Sequence, residues 1–523
     1  MAGLSLSHYD ARAHLVVSRR IIDSLTPGWQ QVGAVWLPLP HVINVLPVQI
    51  DWLYRTGASA IAFSVISLAI AVWAIASLIV RTTGSISGAV AASALLLLNP
   101  DVLYLQSTPM TEPMLFAGMM LAVMLTCEWL DGIRTSTAAG IALVAACLTR
   151  YEAWPITGAV VTLALFVRLR RGTPVLAALA GAARLAALPA LAIVLFLVNS
   201  RWTVGSWFVS GGFFVPENTE ALGHPSVALD QVRIGLYQLS GTALVWSGYA
   251  GAALVVIAFV RPAFMARVGR AFLARVRRAF MARVGPAFMA GRVGPAFTPV
   301  GPGFMAGRDV APAFTAGREM GHAGRESLLV VLALAASAAV PWYAYLHGHP
   351  FRIRYDLPLI AACAALAGAG IGLLWRPSRP IVAALIVTVA VIQAHPLDRT
   401  APLIKESQRD AANKAGRAAV TAYLVQHYDG TTIMMSMGSL GHYMHDLSAK
   451  GFRIRDFLHE GNGDIWALAL MKPRTVVRWI AIDEKSEGGD ALYQEARRHP
   501  RFLEGFDRVA EGGGVALYRA QPR

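Results

Sequence analysis

Residues 57–80 read GASAIAFSVISLAIAVWAIASLIV, 24 residues without a single charged side chain. About 20 consecutive apolar residues are enough for a helix to cross a bilayer. Nine further apolar runs follow, at residues 86–100, 112–130, 136–149, 154–168, 178–198, 235–260, 327–346, 355–374 and 380–395. The sequence therefore predicts a polytopic α-helical membrane protein with about ten transmembrane helices.

The overall composition agrees with a membrane protein. The mean hydropathy is +0.51, with 55% hydrophobic and only 15% charged residues, which excludes an ordinary soluble enzyme. The three cysteines, Cys127, Cys147 and Cys363, lie inside apolar runs and form no Cys-x-x-Cys or Cys/His cluster. We expect them to be small core residues, and neither disulfides nor zinc ligands.

The net charge of +15 comes mostly from one segment. Residues 261–325 contain eleven arginines against Asp309 and Glu319, in imperfect repeats of the type PAFMARVG. The high isoelectric point therefore does not predict a nucleic-acid partner. We expect a disordered cytoplasmic insert without catalytic residues, either a tolerated tandem expansion or a basic segment that lies on anionic lipid headgroups.

The basic loops predict the orientation, because short loops rich in arginine stay in the cytoplasm. One alternating set of loops carries Arg81, Arg134, residues 168–171, the insert, Arg376 and Arg379. The other set is then external, and contains residues 1–56, 101–111, 150–153, 199–234, 347–354 and everything after 396. Since residues 1–56 would be external without a preceding span, we expect that a first helix has been lost upstream; the alternative is a short tail that translocates unaided.

These assignments predict five regions along the chain. They are an outer-face first loop with interfacial helices (1–56), transmembrane helices (57–260), the insert (261–325), further transmembrane helices (326–395) and an extracytoplasmic α/β domain (396–523). In the first loop, a helix over 9–25 should lie along the membrane with Arg12, Arg19 and Arg20 facing water or headgroups. In the last region, helices are predicted at 405–427 and 489–499, and strands at 431–437, 475–482 and 514–518.

Four polar runs fall on the external side, each at the end of an apolar run. They are residues 8–10, 107–112, 149–152 and 352–355. Ionisable groups at membrane depth are costly and usually mark a substrate path. Arginine holds phosphate through forked, charge-assisted hydrogen bonds, and a carboxylate can deprotonate an acceptor hydroxyl. The alternatives are structural: Asp10 as a helix cap, Arg150 and Glu152 as a neutralised pair, and the arginines as headgroup anchors.

These runs resemble motifs of the GT-C superfamily of integral-membrane glycosyltransferases, which use polyprenyl-phosphate sugars. The group includes the aminoarabinose transferase of lipid A, protein O-mannosyltransferases and the RgtA/B/C/D-like families. The matching segments are YDARAHL at 9–15, GAVWLPLPH at 33–41, LQSTPMTEP at 105–113, LTRYEAWP at 148–155 and RIRYDLP at 352–358.

The resemblance implies roles for individual residues. Asp10 matches the first-loop acidic position that acts as base or orients the acceptor, Glu112 matches a second acidic position, and Arg354 resembles a ligand of the lipid-linked phosphate. We assign Asp10 and Glu112 as catalytic. The candidate substrate-binding residues are Arg150, Glu152, Arg352, Arg354, Tyr355 and His41. Many relatives have two adjacent acidic residues in the first loop, whereas Asp10 is followed by Ala11, so we expect chemistry without a metal or other cofactor.

The predicted function is an inverting transfer of mannose or another hexose from a polyprenyl-phosphate carrier to a lipid, glycan or protein acceptor. The reaction would take place at the outer face of the plasma membrane. A lipid or saccharide transporter is the main alternative, but it predicts polar residues throughout the bilayer and inverted repeats. A scaffold that presents the C-terminal domain is a third hypothesis, and it leaves Glu112 and Arg354 without a role.

Overall fold

The fold is dominated by long apolar helices. The computed structural model describes residues 3–209, 218–260, 322–486 and 489–522. Within these residues, eight helices are long and apolar enough to cross a membrane: Ala58–Thr83, Glu112–Leu130, Ala153–Arg170, Val175–Val204, Pro225–Val260, Arg325–Leu346, Ile353–Leu373 and Arg376–Gln393. Two shorter apolar helices are Ile86–Leu97 and Ser136–Cys147. Each predicted run corresponds to one of these helices, so the predicted polytopic helical fold is confirmed. The predictions for the arginine-rich insert fall almost entirely outside the described residues.

The helix Leu357–Leu373 forms the centre of the bundle, and nearly all of its residues are buried. Small residues allow this helix to approach its neighbours closely, as in other membrane bundles. A Cβ atom on Gly251 of the helix Pro225–Val260 would collide with the carbonyl oxygen of Leu366, and one on Gly370 would lie 2.6 Å from the Gly251 Cα atom. The central helix therefore faces protein on all sides, and its first residues are held in a defined place.

Ion pairs join the basic loops at one end of the bundle. Glu128 pairs with Arg81 and, at 3.4 Å, with Arg134. Arg171 pairs with Asp131 at 2.8 Å and with Glu326 at 3.2 Å. The loops that were assigned to the same side of the membrane because of their arginines thus lie beside each other.

The opposite end carries a small α/β domain, as predicted. Its five strands are β1 (Ile433–Met435), β2 (Phe457–Leu458), β3 (Trp479–Asp483), β4 (Phe506–Gly512) and β5 (Val515–Ala520). The sheet order is β2-β1-β3-β5-β4, with β1 parallel to β2 and β3, and β5 antiparallel to β3 and β4. Its longer helices are Ala418–His427, Met437–Ser448, Asp464–Met471 and Ala491–Arg498.

Several details of this domain differ from the prediction. The single helix expected at 405–427 is three helices, Pro402–Ser407, Ala411–Gly416 and Ala418–His427, and the breaks allow polar side chains of this segment to turn inward. The strand expected from residue 475 begins only at Trp479, because Pro473 starts a short helix, Pro473–Val476. The short strand β2 and the strand β4 were not predicted.

The first loop consists of short helices packed between the bundle and the α/β domain. They are Tyr9–Arg20, Trp29–Val32, Leu39–Asn44, Pro47–Gln49 and Asp51–Thr56. The prediction that Arg12 and Arg19 face water or headgroups is wrong, since both are buried. Arg12 forms ion pairs with Asp410 and Asp446. The α/β domain was predicted to be separate from the first loop, whereas its carboxylates cover this face of the helix Tyr9–Arg20.

Candidate active site

The first and last polar runs meet through Asp10 and Arg354. Asp10 lies in the first turn of the helix Tyr9–Arg20, where Nδ1 of His8 accepts a hydrogen bond from the Asp10 N–H at 3.1 Å. Arg354 lies in the 3₁₀ turn Ile353–Asp356, which leads directly into the central helix. Nη1 of Arg354 donates a hydrogen bond to Oδ2 of Asp10, and both side chains are largely buried. A buried acid and a buried guanidinium that lie 344 residues apart in the chain are thus brought together.

The second and third polar runs meet through Arg150. Its Nη1 donates to Oε1 of Glu112 at 2.8 Å and to Oγ1 of Thr111 at 3.2 Å, and its Nη2 donates to Oε1 of Glu152 at 2.7 Å. Burial acts to lower the pKa of Arg150, but the two carboxylates raise it above its ordinary value. Arg150 and Glu152 therefore do pair, as the structural alternative proposed, and the buried Glu112 shares the same guanidinium.

The two groups of ion pairs are neighbours. Cζ of Arg354 lies 5.5 Å from the centre of the Tyr355 ring and 5.9 Å from that of Tyr9. Burial, together with the charges of His41, Arg150 and His8, holds the pKa of His14 well below its usual value. His14 thus lies within electrostatic range of Arg150 and of His8, and the charge of Tyr355 in the last polar run also acts on the pKa of Arg150.

Arg352 belongs to the same region. Its side chain is buried, and its carbonyl oxygen accepts a hydrogen bond from the Tyr345 hydroxyl at 2.9 Å. Burial lowers the pKa of His8 to about 4, with Glu406 acting in the opposite direction and the charges of Arg354 and Arg352 adding to the decrease. Both arginines of the last polar run therefore act on the residue that caps the Asp10 helix.

His41 contacts a different set of residues. Its Nε2 lies 3.0 Å from Nδ1 of His14, its Nδ1 lies 3.2 Å from the carbonyl oxygen of Leu37, and its ring stacks on Trp36. His14 and His41 line a cavity of about 20 Å³ that also reaches Thr111. This volume is close to that of one water molecule. The structure thus places His41 beside the ion-paired residues and outside their contacts.

Two buried carboxylates of this region were not predicted from the sequence. Glu406, on the helix Pro402–Ser407, is 4% exposed, and its Oε1 lies 3.8 Å from Nε2 of His8 and 4.0 Å from Nε of Arg354. Asp356 is fully buried against Gly235. Asp356 directly follows the recognised pair Arg354-Tyr355, which was a usable signal. No signal in the sequence pointed to Glu406, because its segment has the pattern of an ordinary amphipathic helix.

No group of three or more His, Cys, Asp or Glu side chains suited to holding a metal ion occurs in the described part of the chain.

Comparison with known proteins gives a structural match. No family model matches the sequence, and a search of curated proteins finds no match either. A crystal structure of ArnT from Cupriavidus metallidurans, bound to undecaprenyl phosphate, aligns with a TM-score of 0.50 and 12% sequence identity. The alignment covers 100% of this chain and 96% of the ArnT chain.

The chain has the GT-C fold. This confirms the fold class that the motifs predicted, including the α/β domain after the last span. At 12% identity the likeness concerns the fold, and the chemistry of this protein depends on its own residues.

Proposed function

We propose that this protein is a membrane glycosyltransferase that moves a sugar from a polyprenyl-phosphate carrier to an acceptor hydroxyl, with inversion at the anomeric carbon. The observation that supports it most is the buried contact between Asp10 and Arg354, which joins a potential base to a potential phosphate ligand. The similar ArnT fold is known with undecaprenyl phosphate bound, which agrees with this class of carrier.

Arg354 is the proposed ligand of the leaving phosphate. The donor is a phosphodiester, and breaking the bond between its anomeric carbon and the phosphate oxygen leaves a phosphate monoester with one more negative charge. A buried guanidinium stabilises that charge strongly, because little water competes for it. Arg352 lies on the same 352–355 run and adds positive charge nearby.

Asp10 is the proposed general base. The acceptor oxygen attacks the anomeric carbon from the face opposite the phosphate, and its proton passes to the Asp10 carboxylate. A single displacement of this kind inverts the anomeric configuration. Such a base typically contributes about 10²–10⁴-fold to the rate.

The contact between Asp10 and Arg354 suggests an order of binding. While the two are paired, the carboxylate has little tendency to accept a proton, since its charge is stabilised by the guanidinium. A donor phosphate that binds Arg354 would replace Asp10 as its partner and release the carboxylate. The base would then become active only after the donor has bound.

Glu112 is the proposed second acid. Its Oε1 is held by Arg150, whereas its Oε2 is buried without a hydrogen-bond partner among the described residues. We infer that Oε2 binds a substrate hydroxyl. Glu152 would hold Arg150 in place, and Tyr355 would hold Arg354. His41 would bind substrate only at the edge of the site.

The active site and the α/β domain are proposed to face the outside of the plasma membrane, opposite the basic loops. The acceptor would be a lipid, a glycan or a protein that reaches this face.

A transfer assay tests the function. The full-length protein in lipid nanodiscs is incubated with radiolabelled undecaprenyl phosphoryl mannose or glucose and with envelope extracts as acceptor. We expect label to move covalently to the acceptor, and Arg354→Gln to abolish the transfer. The exposed Arg55→Gln is the matched control and should be fully active. Movement of the labelled lipid between leaflets without covalent transfer would contradict the proposal in favour of a transporter.

A further inference from the structure

Glu406 is a buried carboxylate for which the proposed mechanism has no use. Neither of its oxygens has a hydrogen-bond partner among the described residues. Its Oε1 faces Nε2 of His8 at 3.8 Å and Nε of Arg354 at 4.0 Å, and both nitrogens also lack a hydrogen-bond acceptor within those residues. Buried polar groups are almost always hydrogen-bonded in folded proteins. Three such groups facing one another indicate the place of a ligand.

The protonation states of this group follow from its contacts. Nδ1 of His8 accepts the Asp10 N–H, so a neutral His8 carries its proton on Nε2 and donates from there. Burial holds the pKa of His8 at about 4, which keeps it neutral at pH 7. Burial acts to raise the pKa of Glu406, but His8 and Arg354 lower it below its ordinary value. The group therefore presents an N–H donor beside a carboxylate acceptor.

A hydroxyl matches this pair. It accepts one hydrogen bond and donates another, so it satisfies both His8 and Glu406 at once. An oxygen atom can lie about 2.8 Å from both groups when they are separated as here. The Tyr9 ring stacks on His8 with centroids 4.7 Å apart and adds an aromatic wall to the same place.

We propose that Glu406 and His8 form a subsite for the donor sugar and bind the hydroxyl on the carbon next to the anomeric carbon. The proposal rests on the function proposed above. A phosphate on Arg354 is bonded to the anomeric carbon, so this hydroxyl is the one closest to it, and Arg354 faces the same oxygen of Glu406. Hydrogen bonds to this hydroxyl strengthen in the transition state of glycosyl transfer. The enzyme would therefore select sugars with a free 2-hydroxyl over 2-deoxy and 2-acetamido sugars.

A binding experiment tests this subsite. Full-length protein in nanodiscs is titrated with undecaprenyl phosphoryl mannose, undecaprenyl phosphoryl glucose, their common 2-deoxy analogue, and undecaprenyl phosphate. We expect the wild type to bind at least one hexosyl lipid about tenfold or more tightly than the 2-deoxy analogue, as for a hydrogen bond to a charged group. Glu406→Gln should remove this preference and bind undecaprenyl phosphate no more weakly than the wild type. The exposed Glu504→Gln is the matched control and should keep the preference.

The outcomes separate the two proposals. Failure of the wild type to bind undecaprenyl phosphate would overturn both the subsite and the proposed function. A preference that persists in Glu406→Gln would overturn the subsite alone. If Glu406→Gln weakened the binding of all four lipids equally, the subsite would also be overturned, since this would mean that Glu406 only orients Arg354. If melting curves show that Glu406→Gln is unfolded, Glu406→Asp is used in its place. The shorter side chain should then reduce the preference for the hexosyl lipid over the 2-deoxy analogue, and a full wild-type preference would overturn the subsite.

Discussion

Asp10 has two partners in the proposed reaction, since the carboxylate that accepts the proton is bound to Arg354 before the donor arrives. The pairing also explains how an acid at this depth is tolerated. An isolated buried charge is costly, and a guanidinium that both neutralises it and hydrogen-bonds to it offsets part of that cost. In the proposed mechanism, a donor phosphate replaces Asp10 in this contact.

Asp10→Asn should separate binding from chemistry. We expect transfer to fall by about 10²–10⁴-fold, because the amide cannot accept the proton. Undecaprenyl phosphate should bind as tightly as to the wild type or more tightly, because Arg354 is released from its ion pair. Single-turnover transfer and lipid titration measure the two effects, and the exposed Asp464→Asn serves as the control. Wild-type transfer by Asp10→Asn would rule out Asp10 as the base.

Among the elements, the helix Tyr9–Arg20 connects the site to the α/β domain. Arg12 lies on this helix close to Asp10 and forms ion pairs with Asp410 and Asp446, and Asp410 also binds Arg417. A network of this kind holds the helix that carries Asp10, the α/β domain and the segment that carries Glu406 in one arrangement.

Arg12→Ala should destabilise this junction by about 3–5 kcal/mol, because it leaves buried carboxylates without one of their cations. Thermal unfolding in detergent and limited proteolysis of the α/β domain measure the loss. Arg55→Ala removes a half-exposed ion pair from a neighbouring helix of the first loop, and should cost about 0–1 kcal/mol. Equal melting temperatures for the two variants would show that the network does not hold the domain.

The contact between the helices Pro225–Val260 and Leu357–Leu373 is the second element-level feature. Gly251→Val would force a side chain into the backbone of the central helix, so we expect a loss of at least about 1–3 kcal/mol together with reduced transfer. Gly158→Val is the control, since a Cβ atom there meets no neighbour within 4 Å. Melting temperature and transfer rate are measured for both. A stable, active Gly251→Val variant would contradict the close packing.

In the whole molecule, charged groups collect at the two ends of an apolar bundle. One end holds the basic loops, and the other holds the proposed site and the α/β domain. The positive-inside rule predicts that the end with the basic loops is cytoplasmic.

Cysteine labelling tests this orientation. Leu397→Cys lies at the end with the α/β domain and Leu176→Cys lies close to Arg171 at the other end, and both positions are more than 80% exposed. A membrane-impermeant maleimide should label Leu397→Cys in intact cells, and Leu176→Cys only after permeabilisation. The three native cysteines are buried and should give little background. The reverse pattern would place the site in the cytoplasm and contradict the proposed localisation.

The sequence alone predicted the number and type of the apolar helices. A helix that crosses a bilayer needs a long run of uncharged residues, and such runs can be recognised directly in the sequence. It also indicated Asp10, Glu112, Arg150 and Arg354, since charged residues at the ends of such runs need partners. The pairing of Arg150 with Glu152, two residues apart, was among the structural alternatives, but the pairing of Asp10 with Arg354 and of Glu112 with Arg150 was decided by the tertiary structure alone. Arg12 turned inward and Glu406 reached the site because the α/β domain folds back over the first loop. Contacts between residues so distant along the chain depend on how the elements pack, and they cannot be predicted from the local sequence pattern of either segment.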